Sequence, residues 1–198
     1  MNVSILEKIT KWMDEGCTGL ELARNYSQYM DLFLANIFNS VDRNAPFALL
    51  ATGGYGRQEL APYSDIDIMF FAQDRAGAET AESILYKLWD SGLEISHAFR
   101  TAEECIEESF KDIRTRTSLL EARYVTGDVK LYNRFRNEVY PLITHKRKKA
   151  FVRDKLKEME KRHLESGDSV FLLEPHIKEG EGSLRDIHTL YWLSKVVF

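Results

Sequence analysis

The stretch Leu49 to Phe71, LLATGGYGRQELAPYSDIDIMFF, constrains this chain more than any other part of its sequence. The short apolar run Phe47-Ala48-Leu49-Leu50-Ala51 predicts a buried strand that runs into Gly53-Gly54. A ten-residue loop follows, and Asp65 to Phe71 predicts a second strand. Alternation along that strand puts Asp65, Asp67, Met69 and Phe71 on one face and Ile66, Ile68 and Phe70 on the other. Two carboxylates two residues apart on one face repel each other at neutral pH unless a cation lies between them. Hard oxygen donors in this pattern suit Mg²⁺, which takes one or two carboxylates and completes its shell with phosphate oxygens. Gly53, Gly54 and Gly56 let the backbone approach a ligand closely, and N–H groups in such a turn can hold phosphate oxygens. Arg57 can add a forked contact to the same phosphates.

The flanking sequence predicts an α+β fold. Ile5, Leu6, Ile9, Trp12 and Met13 share one helical face that Gly16 ends, and Leu22, Tyr26, Tyr29, Phe33, Ile37 and Phe38 line the buried side of a second helix. Glu79 to Trp89 has helical period, Gly92 breaks it, and Leu93 to Phe99 predicts a third strand. Three pairs have capping-box spacing: Thr18 with Glu21, Thr101 with Glu104, and Ser183 with Asp186. No strand is expected after about Thr101. Long helices are expected over Lys146 to Glu165 and from Ser183 onward. The predicted organisation is a small mixed-sheet domain with flanking helices over 1–130, then an all-helical domain over 131–198. The last helix stops without Gly, Pro or a cap, so a continuation beyond it is expected.

Composition excludes several classes. With 198 residues, 44% hydrophobic and 29% charged, the chain can bury a core. A net charge of −4 argues against a broad nucleic-acid surface. Cys17 and Cys105 are far apart and lack metal-ligand spacing. The charged, amphipathic first residues are no signal peptide, and a cytoplasmic protein with no membrane partner is expected.

Hydrophobic-Gly-Gly, a ten-residue spacer and Asp-hydrophobic-Asp resemble the signature of the DNA polymerase beta nucleotidyltransferase superfamily. Three blocks in order, GGYGRQELAPYSDID, GLEISHAFRT and EPHIKEGEGSLRDIHTLYW, resemble the bacterial PII-protein uridylyltransferase/uridylyl-removing enzymes over roughly residues 45–195. This resemblance implies transfer of UMP from UTP to a tyrosine hydroxyl of a PII-type signalling protein, with release of pyrophosphate. It implies that Gly53 and Gly54 bind the triphosphate, with Arg57 and Ser64 as further nucleotide contacts. Asp65 and Asp67 would hold two Mg²⁺ ions, or Mn²⁺ in their place. Superfamily members place a third carboxylate on a neighbouring strand, and Glu94 is the candidate. In the third block a glycine-containing loop meets a helix N-terminus, where Lys178 and Arg185 could reach a phosphate. Family members usually carry Gly where this chain has Gln58 and Ser183. Nothing in this chain resembles the family's hydrolase and ACT domains. Alternative readings are a protein adenylyltransferase using ATP and a non-catalytic module that binds a nucleotide or PII.

Overall fold

The structure, a computed structural model, describes residues 3–165 and 176–198. Helix α1 (Val3–Asp14) buries Ile5 and Ile9, and Gly16 at φ +91° turns the chain out of it. Helix α2 (Gly19–Val41) sinks Tyr26, Met30, Leu34 and Phe38 completely, one every four residues, while Leu22, Tyr29, Phe33 and Ile37 pack at the margins. The expected cap at Thr18 does not form: its carbonyl, not its side chain, meets the Glu21 N–H.

Strand β1 (Phe47–Ala51) is buried throughout, as its unbroken apolar run requires. It leads through the single-turn helix α3 (Gly53–Gly56) to β2 (Ile66–Ala72), which pairs with β1 antiparallel. Helix α4 (Ala78–Asp90) then carries the chain over to β3 (Ile95–Arg100), parallel to β2. Helices α5 (Ala102–Lys111) and α6 (Ile113–Leu120) follow, and β4 (Arg123–Gly127) closes the other edge, giving a mixed sheet of order β3-β2-β1-β4. The remaining elements are α7 (Val129–Arg134), a π-helical turn (Phe135–Val139), α8 (Tyr140–His145), α9 (Lys148–Glu165) and α10 (Leu184–Val197).

Alternation in the strands creates two cores. Phe47, Leu49, Ile66, Ile68 and Phe70 face α1, α2 and α4, with Phe47 edge-on to Phe70 at 5.2 Å. Ala48, Leu50, Met69 and Phe71 face the other way, against α5, α6 and the later helices. Asp67 stands on this second face, as the alternation in the sequence predicts.

Two expectations need correction. A fourth strand exists: β4 pairs antiparallel with β1 across a bulge between Leu49 and Leu50, and every residue of it is half-buried. No all-helical domain follows the sheet domain among the described residues, so the fold is α+β with one small mixed sheet and many helices. Phe135, Val139, Ile143, Phe151, Trp192 and Val196 share one buried cluster with Ala48 and Leu50 of the sheet. Buried Arg116 ties these helices together by donating to the carbonyls of Ile143 (2.8 Å) and Lys146 (2.7 Å) at the end of α8. Burial lowers its pKa to about 10, helped by the nearby Arg147 charge.

Candidate active site

The turn between β1 and β2 is fixed by backbone geometry. Thr52 N–H donates to the Asp67 carbonyl (2.9 Å), which locks the start of α3 beside the start of β2. Gly53 has φ +55°, and a β-carbon there would overlap Asp67 Oδ2. Only glycine suits both the left-handed backbone and the carboxylate lying over it. A β-carbon on Gly56 would run into the Glu121 carbonyl oxygen, so that residue is required by packing. Gly54 is different, since its nearest neighbours lie at ordinary contact distance, 3.7 Å or more. The first N–H groups of any helical turn have no acceptor within it, and here that end opens at the Asp67 carboxylate's side of the sheet.

Asp67 is half-buried, and Asp65, just ahead of β2, is exposed. Burial pushes the Asp67 carboxyl up from its usual range, and the neighbouring Asp65 charge pushes it further. Lys178 and Arg57 act in the opposite direction without cancelling the rise. Two oxygen donors held together against their own repulsion fit a hard divalent cation.

The other predicted residues are placed as follows. Ile66 pairs with Ile95 and Asp67 with Ser96, and the Ile66 N–H donates to the Glu94 carbonyl (2.9 Å). Glu94 therefore sits just before β3 with an exposed side chain. Among the described residues no three His, Cys, Asp or Glu come together as a metal-holding group, so Glu94 is not gathered with the two aspartates. Ser64 is exposed in the loop and closes a turn through its N–H to Ala61 O (3.2 Å). Lys178 is exposed, yet its charge reaches Asp67, which brings the third sequence block to the aspartates. Of that block, Glu174 and Pro175 lie outside the described residues. The expected Ser183–Asp186 capping box does not form. Ser183 Oγ donates to Lys178 O (2.7 Å), and Asp186 accepts from Gly182 N–H (2.8 Å), from His163 and from Arg162. His97 packs edge-on to Trp89, with ring centres 5.7 Å apart.

Arg57 and Arg185, expected to meet phosphates, are committed to carboxylates. Arg57 donates to Glu59 (2.8 Å) and Glu121 (3.1 Å) with its side chain only 9% exposed, and Arg185 donates to Glu179 (3.1 Å). Both guanidinium groups also lie over the Trp192 ring. Arg57 thus acts as a brace. Glu121, fully buried, accepts from Arg57 and from Trp192 Nε1 (2.7 Å), and His188 of α10 meets Glu59 at 2.9 Å. On the far side, Asp31 of α2 accepts from Tyr55 Oη (2.5 Å) and takes both terminal nitrogens of Arg123 (2.8 and 2.9 Å). These two networks grip the glycine turn from opposite directions. Nothing in sequence spacing marks Glu121, Asp31 or Arg123, because each partner lies on a distant element.

Gln58, directly after this turn, has φ +60°. A side chain in the left-handed region costs about 1 kcal/mol relative to glycine. The family resemblance expects glycine here, and the backbone supplies the reason. Gln58→Gly should raise the melting temperature by roughly 2–4 °C, read by calorimetry; a lower melting temperature would show that the Gln58 side chain holds the turn.

A small mixed sheet that presents an aspartate pair beside a glycine turn defines a site of the nucleotidyltransferase class. Comparison with known proteins narrows the class. The family model described as GlnD PII-uridylyltransferase matches residues 150–198. The chain is 41% identical over 173 residues to a bifunctional uridylyltransferase/uridylyl-removing enzyme of Azospirillum brasilense, covering 85% of this chain and 18% of that protein. A similarly named enzyme of Nitrobacter winogradskyi is 45% identical over 154 residues, 76% of this chain and 17% of its own length. One of Rhodospirillum rubrum is 36% identical over 201 residues, 95% of this chain and 22% of its own. The chain is a relative of these bifunctional uridylyltransferase/uridylyl-removing enzymes and spans about a fifth of their length.

Proposed function

We propose that the chain transfers a uridylyl group from UTP to a tyrosine hydroxyl of a PII-type protein and releases pyrophosphate. The observation that carries this reading is the Asp67 carboxylate seated against the left-handed Gly53, with Asp65 beside it. Relatives named for uridylyl transfer over most of this chain support the choice of nucleotide.

Asp65 and Asp67 would hold Mg²⁺, two ions being expected, with Mn²⁺ an equivalent. When bound, such ions polarise the phosphates and lower the pKa of a nearby hydroxyl. The remaining work falls to the chain itself. Gly53 leaves room at the carboxylate, and the N–H groups of the turn donate to phosphate oxygens. Lys178 adds positive charge where the leaving phosphates gather. The Glu121 and Asp31 networks hold the turn in place before substrate arrives, so little reorganisation is needed during transfer.

The test is incubation with UTP or ATP labelled at the α-phosphate, Mg²⁺ and a PII-type protein. Label should pass from UTP to the acceptor with one pyrophosphate per transfer, and a chelator should stop it. Labelling from ATP alone would make the chain an adenylyltransferase. Nucleotide binding with no pyrophosphate release would make it a binding module.

A further inference from the structure

A cleft of about 250 Å³ opens on the second face of the sheet, over β2 and β3 and under α6. Asp67 and Thr52 stand at one end of it. Its floor is cut low by small side chains: the parallel register sets Ser96 beside Asp67 and Ala98 beside Met69. Ser118 keeps the α6 wall low as well. Toward the other end lie Arg100, half-buried on β3, and Arg114, exposed on α6.

The two guanidinium groups are what set this cleft apart. Arg57, Arg75, Arg116 and Arg123 all donate to carboxylates or carbonyls. Among the described residues, the Arg100 and Arg114 side chains make no hydrogen bond, ion pair or ring contact. The nearby acids are already engaged. Asp112 accepts from Arg114 N–H (3.2 Å), Thr115 N–H (2.8 Å) and Thr115 Oγ1 (2.8 Å) as the cap of α6. Glu104, whose charge reaches Arg100, bonds Arg75 and the Thr101 N–H (2.9 Å). Arg100 lowers the Glu104 carboxyl and Arg114 that of Asp112 at the cleft wall, but neither guanidinium is bonded to these acids, so both keep their donors for a ligand.

Position says which substrate belongs here. The glycine turn meets the cleft at its Thr52 and Asp67 end, and from there the cleft runs over β2 toward Ser96, Ala98 and Arg100 of β3, on the side of β2 away from β1. In phosphoryl-type transfer the attacking and leaving oxygens lie roughly in line on opposite sides of the phosphorus. With the leaving phosphates at the turn, the attacking hydroxyl approaches from the β3 side of Asp67. The size agrees, because the cleft falls below the roughly 300–1,000 Å³ of pockets that enclose small ligands. It has room for one side chain inserted from a protein.

Resting on the nucleotidyl-transfer reading, we propose that this cleft receives the acceptor: a tyrosine side chain on a segment with acidic flanks, gripped by Arg100 and Arg114. Two tyrosine peptides of equal length, one flanked by glutamates and one by lysines, test it by fluorescence anisotropy against the whole chain. The acidic peptide should bind about tenfold tighter, the scale of two charge-assisted contacts, and the preference should shrink in high salt. Arg100→Ala with Arg114→Ala should abolish it, while Arg100→Lys with Arg114→Lys retains most of it and controls for folding. Affinity for a nonhydrolysable UTP analogue should be the same in all three proteins. Equal binding of the two peptides to the unmodified chain overturns the proposal. So does a double alanine variant that loses the nucleotide and keeps the peptide preference. Failure of the unmodified chain to bind the UTP analogue would instead sink the transfer reading, and the peptide comparison would still decide the cleft.

Discussion

Asp67→Asn should lower nucleotidyl transfer by roughly 10²–10³-fold, the scale of losing one preorganised electrostatic contact, and yet raise the melting temperature of the metal-free protein. Both effects come from one placement. Asp67 is half-buried against Gly53 and beside Asp65, and burial followed by the Asp65 charge raises its carboxyl above the ordinary 3.8. A carboxyl whose folded pKa lies above its unfolded one binds its proton more tightly in the fold, so stability falls as pH rises through that window. At neutral pH the ionised Asp67 is therefore a standing cost that asparagine removes. The stabilisation by Asn should be full above the raised pKa and should shrink as pH falls toward 3.8. Mg²⁺ supplies a second reading: it should raise the melting temperature of the unmodified chain by mass action and leave the variant nearly unmoved. Calorimetry over a pH series with and without Mg²⁺, alongside pyrophosphate release, checks all three. An Asn variant less stable than the parent at pH 7 would show that the Asp67 charge is satisfied by its surroundings, and the metal cradle would lose its basis.

The centre of this site was legible because its information is local. The β1 run, the glycine turn and the Asp-Ile-Asp alternation lie within one 25-residue stretch, Phe47 to Phe71, and the pleat alone assigns Asp67 to its face. Thr101 and Glu104 form their capping box because both partners lie in the helix they start. Spacing was not sufficient elsewhere. The Thr18 side chain makes no cap bond, and Ser183 spends its hydroxyl on Lys178 O, since tertiary neighbours offered other geometries. Strand β4 carries no alternation of burial and pairs with β1 across a bulge, so its only local mark is the Tyr-Val-Thr run before Gly127, too short for a period to show. The reassignment of Arg57 and Arg185 has the same cause. Forked cations near a phosphate loop suggest phosphate contacts, but Glu121 and Trp192 reach the loop from 64 and 135 residues further along the chain, and only the folded structure brings them together.

The largest loss of stability should follow from that arrangement. Glu121 is fully buried and accepts from Arg57 Nη1 at 3.1 Å and Trp192 Nε1 at 2.7 Å, with Lys195 Nζ at 3.5 Å. Glu121→Ala leaves a nearly buried guanidinium with only Glu59 of its two carboxylates, and an indole N–H without an acceptor. Removing one partner of a buried pair costs about 3–5 kcal/mol, which for a chain of this size lowers the melting temperature by roughly 6–20 °C. Trp192→Phe removes one donor and leaves the Arg57–Glu121 pair, so the loss of its hydrogen bond should cost about 1 kcal/mol. The two substitutions together should cost less than the sum of their separate effects, because both cut the same contact. Activity should follow the brace. Arg57 also holds Glu59, and Gly56 packs against the Glu121 carbonyl, so the turn loosens and UTP binds more weakly in Glu121→Ala even below its melting point. Urea unfolding of the three variants, paired with UTP-analogue titration at low temperature, separates the two effects. Should Glu121→Ala lie within about 1 kcal/mol of the parent, the cost of a surface pair, the carboxylate is solvated and the brace between α10 and the glycine turn does not exist.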